Sequence, residues 1–157
     1  MFENLQLNSI IAISVVIVSL VIIGYFSWKT LIISDLFQKG LNCYQQEDYK
    51  GAEAAFRQVI SRNSTNDVVH LLLGDTLMQQ SKLDEAIQQF QEVIRRAPKK
   101  VDAYLRLSNA LMRQEKKQEA IATLQQARDL FQAQRQPQKV DEINRILDKM
   151  SKNKEGV

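Results

Sequence analysis

His70 and Cys43 are the only histidine and cysteine in the chain, so nucleophilic, general-base or metal chemistry must start from these two side chains or from carboxylates. One Cys and one His cannot assemble a zinc site, and a single Cys cannot close an intrachain disulfide. His70 stands in the run VVHLLLG and reads as a helix-packing residue, and Cys43 reads as a small buried hydrophobe. The paired carboxylates Asp84-Glu85 and Asp141-Glu142 fall at expected helix starts, where negative charge complements the helix dipole. No glycine-rich phosphate loop and no nucleophile–base pair can be found. The expectation is a protein that is not an enzyme and that has no cofactor, no metal and no small-molecule substrate.

The elements that carry these residues are helices. The chain has 157 residues, with only 5 Gly and 2 Pro, and is rich in Gln, Leu, Ala, Glu and Lys, a composition that favours helix and leaves few places for tight turns. The formal net charge is +3, from 21 basic and 18 acidic residues. Both signs are mixed along most expected helix faces, which is a solvated surface rather than a nucleic-acid patch. No basic run alternates with aromatics, so no nucleic-acid partner is expected. A weak attraction to anionic lipid is the more natural consequence of the surplus.

No charge occurs between Glu3 and Lys29. After a short N-terminal segment, 1–9, residues 10–28 read IIAISVVIVSLVIIGYFSW. As a helix these residues span about 28 Å, close to the hydrocarbon thickness of a bilayer. Ser14, Ser19 and Ser27 can bond back to their own helix, and Tyr25 and Trp28 sit at one end, where amphipathic rings favour the interface. A cleaved signal peptide is the rival. It asks for a basic start and a small-residue cleavage site, whereas MFENLQLNS has no Lys or Arg and the apolar run ends in bulky residues. A transmembrane helix over 10–28 is therefore expected. Lys29, Lys39, Lys50 and Arg57 all follow it, so the positive-inside rule puts the body in the cytoplasm or stroma. Leu31, Ile32 and Ile33 continue the apolar pattern with no linker, so the anchor is expected to run helically into the body.

The body repeats with a period of 34. Gly40, Gly74 and Ser108 share one register; so do Ala52, Ala86 and Ala120, and so do Phe56, Phe90 and Leu124. Ser64, Pro98 and Gln132 close the units. This pattern resembles the tetratricopeptide repeat (TPR) family, whose motif asks for small residues at repeat positions 8, 20 and 27 and an aromatic at 24. The resemblance implies an all-α solenoid of three repeats, at 33–66, 67–100 and 101–134, each a pair of antiparallel helices. Gly inside a helix costs about 1 kcal/mol relative to Ala, and close helix contact supplies the reason for it. After Pro137, Val140, Ile143, Leu147 and Met150 fall on one helical face, as a capping helix over 137–150 requires. Residues 151–157 are expected to be a disordered tail.

In TPR proteins the concave surface is lined by the first helix of each repeat, and the resemblance assigns it here to Phe37, Leu41 and Tyr44; Leu71, Asp75 and Met78; and Leu105, Asn109, Met112 and Arg113. Such an apolar, Met-containing strip suits an apolar or amphipathic protein segment. TPR grooves that clamp a chaperone C-terminus use Lys and Asn where this chain has Phe37 and Leu41, which argues against that ligand. One span, about three TPRs, a cap and a short tail together resemble the membrane-anchored TPR family of photosystem I assembly proteins of cyanobacteria and red-algal plastids. That resemblance implies a thylakoid location, with membrane lipid around the N-terminal helix. It implies partners among photosystem I subunits or assembly intermediates. The alternative is a membrane-tethered TPR adaptor of a secretion, import or cell-division system.

Overall fold

With so few helix breakers, the chain folds into helices joined by turns of three or four residues. The computed structural model describes the backbone of residues 2–152 and the side chains of residues 12–152. Seven helices lie within that range: α1 Phe2–Gln45, α2 Tyr49–Arg62, α3 Asp67–Gln79, α4 Leu83–Arg96, α5 Val101–Arg113, α6 Lys117–Ala133 and α7 Pro137–Lys152. Each packs against the next in chain order, and α3 also touches α5, as in a solenoid. Ser151 and Lys152, expected in the tail, instead complete α7, and the rest of that tail lies outside the described residues.

The 44 residues of α1 make one unbroken helix about 66 Å long. It contains no proline, and Ser19 and Thr30 satisfy their hydroxyls on the carbonyls of Val15 and Phe26. Its large apolar side chains from Ile13 to Leu31 are 49–68% exposed. Packing begins at Ile32 and Ile33, where α2 comes alongside. Among the described residues this is the one helix long and apolar enough to cross a membrane.

The repeat period is a packing requirement. Gly40 of α1 lies under the ring of Phe56 of α2, and Gly74 of α3 under Phe90 of α4; a Cβ on either glycine would come within 2.6 Å and 2.3 Å of those rings. Both rings are fully buried. The third pair shows the compensating exchange: Ser108 carries a Cβ and Leu124 replaces the ring. Ala52, Ala86 and Ala120, with no exposed surface, let the paired helices close.

Within each pair the same turn recurs. Glu47, Ser81 and Glu115 adopt left-handed backbone, with φ of 60°, 61° and 64°. Each is followed by a residue whose N–H donates to a carbonyl in the last turn of the preceding helix: Asp48 to Cys43, Lys82 to Leu77 and Lys116 to Leu111, all at 2.9 Å. This is a Schellman closure made without glycine. Left-handed backbone is strained for these residues. Glu115→Gly, on an exposed turn, is therefore expected to raise stability by about 0.5–1 kcal/mol despite its entropic cost, read as an upward shift of the thermal midpoint.

Turns on the same side are stitched together. Glu53 of α2, whose side chain is 14% exposed, takes Arg57 Nε at 2.9 Å and Lys82 Nζ at 2.7 Å, and accepts Gln80 Nε2 at 2.8 Å. Burial alone would raise its pKa; bonds from Lys82, Arg57 and Gln80 outweigh that and hold it at about 2, against an ordinary 4.5. A depressed carboxylate stabilises the fold fully above the unfolded value and loses that contribution as pH falls from about 4.5 toward 2. Glu53→Gln should cost about 1–2 kcal/mol at pH 7 and remove part of the acid sensitivity in that window, as measured by denaturant titration at several pH values.

Candidate functional site

Among the described residues no three of His, Cys, Asp and Glu gather as a metal site would require. His70 is buried, with Nε2 3.0 Å from the Ser64 carbonyl and Nδ1 2.8 Å from the Gln89 side chain, so both ring nitrogens serve the joint between the α2–α3 turn and α4. Cys43 is half-buried and free, against Gly51. Its burial is thus less complete than expected of a small buried hydrophobe.

The ten residues assigned to the concave strip divide into four groups. Leu71 and Met78 are 5% exposed and belong to the core, in one cluster with Leu107 and Leu111. Phe37, Leu41 and Tyr44 are half-buried and close that cluster from α1: Phe37 tilts against Phe56 at 6.3 Å, and Tyr44 meets Tyr49 edge-on at 5.7 Å. Asp75 is held by Arg106 in an ion pair, so its charge is already matched. The strip is therefore filled by its own side chains through the first two repeats. On α5, half-buried Leu105, exposed Asn109 and Met112, 39% exposed, face open space, while Arg113 is exposed but lies outside it.

That space is a cleft of about 890 Å³ between α5 and α7. Val101, Leu105, Ser108, Asn109 and Met112 form the α5 wall, and Ile143, Ile146 and Met150 the α7 wall. Leu124 and Phe131 of α6 form the floor, and Lys99, Asp102, Lys139 and Glu142 the charged rim. An apolar trough of this size with mixed charge at its edge fits an amphipathic segment of another chain. It has little to recognise a polar small molecule.

The cleft follows from how α7 is attached. The turns joining one pair to the next, 63–66 and 97–100, have four residues and no left-handed backbone. The α6–α7 connection instead has three residues, with Arg135 at φ 57° and the Gln136 N–H donating to the Phe131 carbonyl at 3.0 Å. This is the turn otherwise used inside a pair. Helix α6 also has 17 residues, where α2 and α4 have 14. Consequently α7 buries Ile143 against Phe131 and Leu124 of α6, while Ile146 remains 39% exposed across the gap from α5. Ile146, Leu124 and Phe131 are absent from the sequence-derived strip. The available signal was that Ile146 widens the apolar face of α7 beyond the stripe at 140, 143, 147 and 150.

Two family models, both described as tetratricopeptide repeat, match residues 71–136 and 44–94. No curated protein sequence matches. Among solved structures, the TPR2B domain of yeast Sti1, in complex with pHsp70, is 21% identical, with a TM-score of 0.69 over 78% of this chain and 98% of that one. The Yersinia enterocolitica type III secretion translocator chaperone SycD is 18% identical, with a TM-score of 0.70 over 78% of this chain and 86% of its own. The TPR domain of Arabidopsis OM64 is 20% identical, with a TM-score of 0.65 over 77% and 98%. At these identities the likeness is one of fold.

Proposed function

The chain belongs to the tetratricopeptide repeat family, its two matches together taking in residues 44–136, and on that premise we propose that it is a membrane-anchored scaffold that holds an apolar protein segment in the α5–α7 cleft. The units 33–66, 67–100 and 101–134 are its repeats, α7 its cap and residues 10–28 its single transmembrane span. The observation that carries the reading is the open apolar trough on a solenoid whose first helix continues, without a break, into an uncovered apolar stretch. Basic residues only on the C-terminal side of that stretch favour a cytoplasmic or stromal body. A protein of similar fold, SycD, has been solved in complex with a peptide of the translocator YopD.

The client we propose is a photosystem I subunit or assembly intermediate at the thylakoid membrane, which rests on the resemblance in overall layout. A tethered adaptor of a secretion system is the second reading, for which the SycD-like fold speaks. Both readings share one test of the cleft. Met112→Glu places a carboxylate on the apolar wall at a position open enough to leave folding intact. An unpaired charge in an apolar contact costs several kcal/mol, so affinity should fall about a hundredfold or more. Tagged protein purified from detergent-solubilised membranes should carry photosystem I subunits, and Met112→Glu should lose them while its melting curve is unchanged. Retention of the same partners by the folded variant would exclude the cleft, and partners from a secretion machinery would select the second reading.

A further inference from the structure

The turns that close the helix pairs form two rows, and the rows differ in charge. One row holds the α2–α3, α4–α5 and α6–α7 connections, tied by Arg96 donating to the Ser64 carbonyl and by Gln134 Nε2 donating to the Lys99 carbonyl at 3.1 Å. The opposite row holds the turns within pairs, tied by Gln80 Nε2 donating to the Tyr49 carbonyl at 3.1 Å and Gln114 Nε2 donating to Asp84 at 2.7 Å. Counting each connection with three residues on either side, the first row has seven cations (Arg62, Arg95, Arg96, Lys99, Lys100, Arg135 and Lys139) against the two carboxylates Asp67 and Asp102. The same count over the second row gives five cations and six carboxylates. In the first row, Arg95, Arg96 and Lys139 are paired with Glu92, Asp67 and Glu142. That leaves Arg62, Lys99, Lys100 and Arg135 with no carboxylate partner among the described residues.

The basic row is also the one beside the apolar segment. Helix α2 runs back along α1, so that Arg62 shares a hollow with Trp28, Leu31, Ile32 and Asp35. Trp28 ends the apolar run, and three or four residues of helix separate it from the level of Arg62, about 5 Å along the axis. That is within a Debye length of a headgroup surface at physiological salt. The α4–α5 and α6–α7 turns are tied in series to the α2–α3 turn, so the row extends from the level of Arg62 along one side of the solenoid.

We propose that this row is a second membrane contact, in which Arg62, Lys99, Lys100 and Arg135 dock the solenoid on anionic lipid headgroups. Docking would hold the repeats flat against the bilayer and fix where the cleft sits above it. The inference rests on the apolar segment being an anchor. Each free cation near an anionic surface is worth about fivefold in the docked-to-undocked ratio.

The test uses the full chain in lipid nanodiscs, with Cys43→Ser and one fluorophore at either Thr65→Cys in the basic row or Glu115→Cys in the other, and an acceptor dye on lipid. In discs containing phosphatidylglycerol, energy transfer from position 65 should exceed that in pure phosphatidylcholine and collapse to the same value in about 1 M salt. Transfer from position 115 should change little. Lys100→Glu with Arg135→Glu, neither of which lines the cleft, should lower the docked ratio by about 25-fold or more. Equal transfer in both lipids with the protein inserted would overturn the docking surface and leave the anchor standing. Failure of the chain to enter either disc would overturn both.

Discussion

Gly74→Ala is expected to destabilise the domain by about 3 kcal/mol, lowering its thermal midpoint by about 10 °C, although it adds a single methyl group to a helix. Alanine is the better helix former by about 1 kcal/mol, so propensity alone predicts the opposite sign. The new Cβ would lie 2.3 Å from Phe90 Cε1 and 2.6 Å from Cζ. Phe90 is fully buried, so its ring cannot swing aside without moving α4. The third pair names the rescue. Ser108 and Leu124 occupy the equivalent positions, so Gly74→Ala combined with Phe90→Leu should recover part of the loss that each single change incurs. Denaturant melts of the four proteins measure this directly. Additive losses would mean that the two side chains do not compete for one space.

That pair also shows what could be read in the sequence. The 34-residue period was legible because Gly40, Gly74, Phe56 and Phe90 answer to backbone-level sterics that admit few substitutes. The run of α1 into the body was legible because nothing between Ile10 and Gln45 breaks a helix except the tolerated Gly24 and Gly40. The open surface was not. Repeat position places Leu71 and Met78 on the concave side, yet whether such a residue is open depends on what its neighbours fill, here Phe37, Leu41 and Tyr44 on α1 and Leu107 and Leu111 on α5. The pairing of Asp75 with Arg106 spans two repeats and is invisible to spacing. The feature that opens the cleft, left-handed backbone at Arg135, carries no glycine to signal it. The same holds for Glu47, Ser81 and Glu115.

Val18→Arg combined with Ile22→Arg should release the protein from membranes. Both side chains project from the uncovered part of α1, 56% and 49% exposed, so neither change touches the repeats. Each arginine near the middle of a spanning helix costs about 3 kcal/mol on insertion scales, and two exceed what the remaining apolar residues contribute. The unchanged chain should stay in the pellet after alkaline carbonate, and the variant should appear in the supernatant with the same melting curve. Protease added to the cytoplasmic or stromal side of sealed membranes should digest the unchanged protein after about Lys29. A mature chain shorter by the apolar segment, seen by mass spectrometry, would make that segment a signal sequence and remove the anchor. Protection of the repeats would reverse the orientation.

Whether the α5–α7 cleft holds a protein segment at the membrane surface is tested with least intervention by photo-crosslinking in intact membranes. A photoreactive amino acid replaces Met112 on one wall or Ile146 on the other, both 39% exposed and both lining the cleft. A third placement at Gln58, on the exposed side of α2, serves as the outer-surface reference. Positions 112 and 146 should give one and the same adduct, identified by mass spectrometry through an apolar segment of the partner, and position 58 none. Filling the cleft by Asn109→Trp, on its exposed α5 wall, should abolish it. Adducts from position 58 but not from 112 or 146, or an adduct indifferent to Asn109→Trp in a folded protein, would exclude the cleft and move the binding surface to the outer helices.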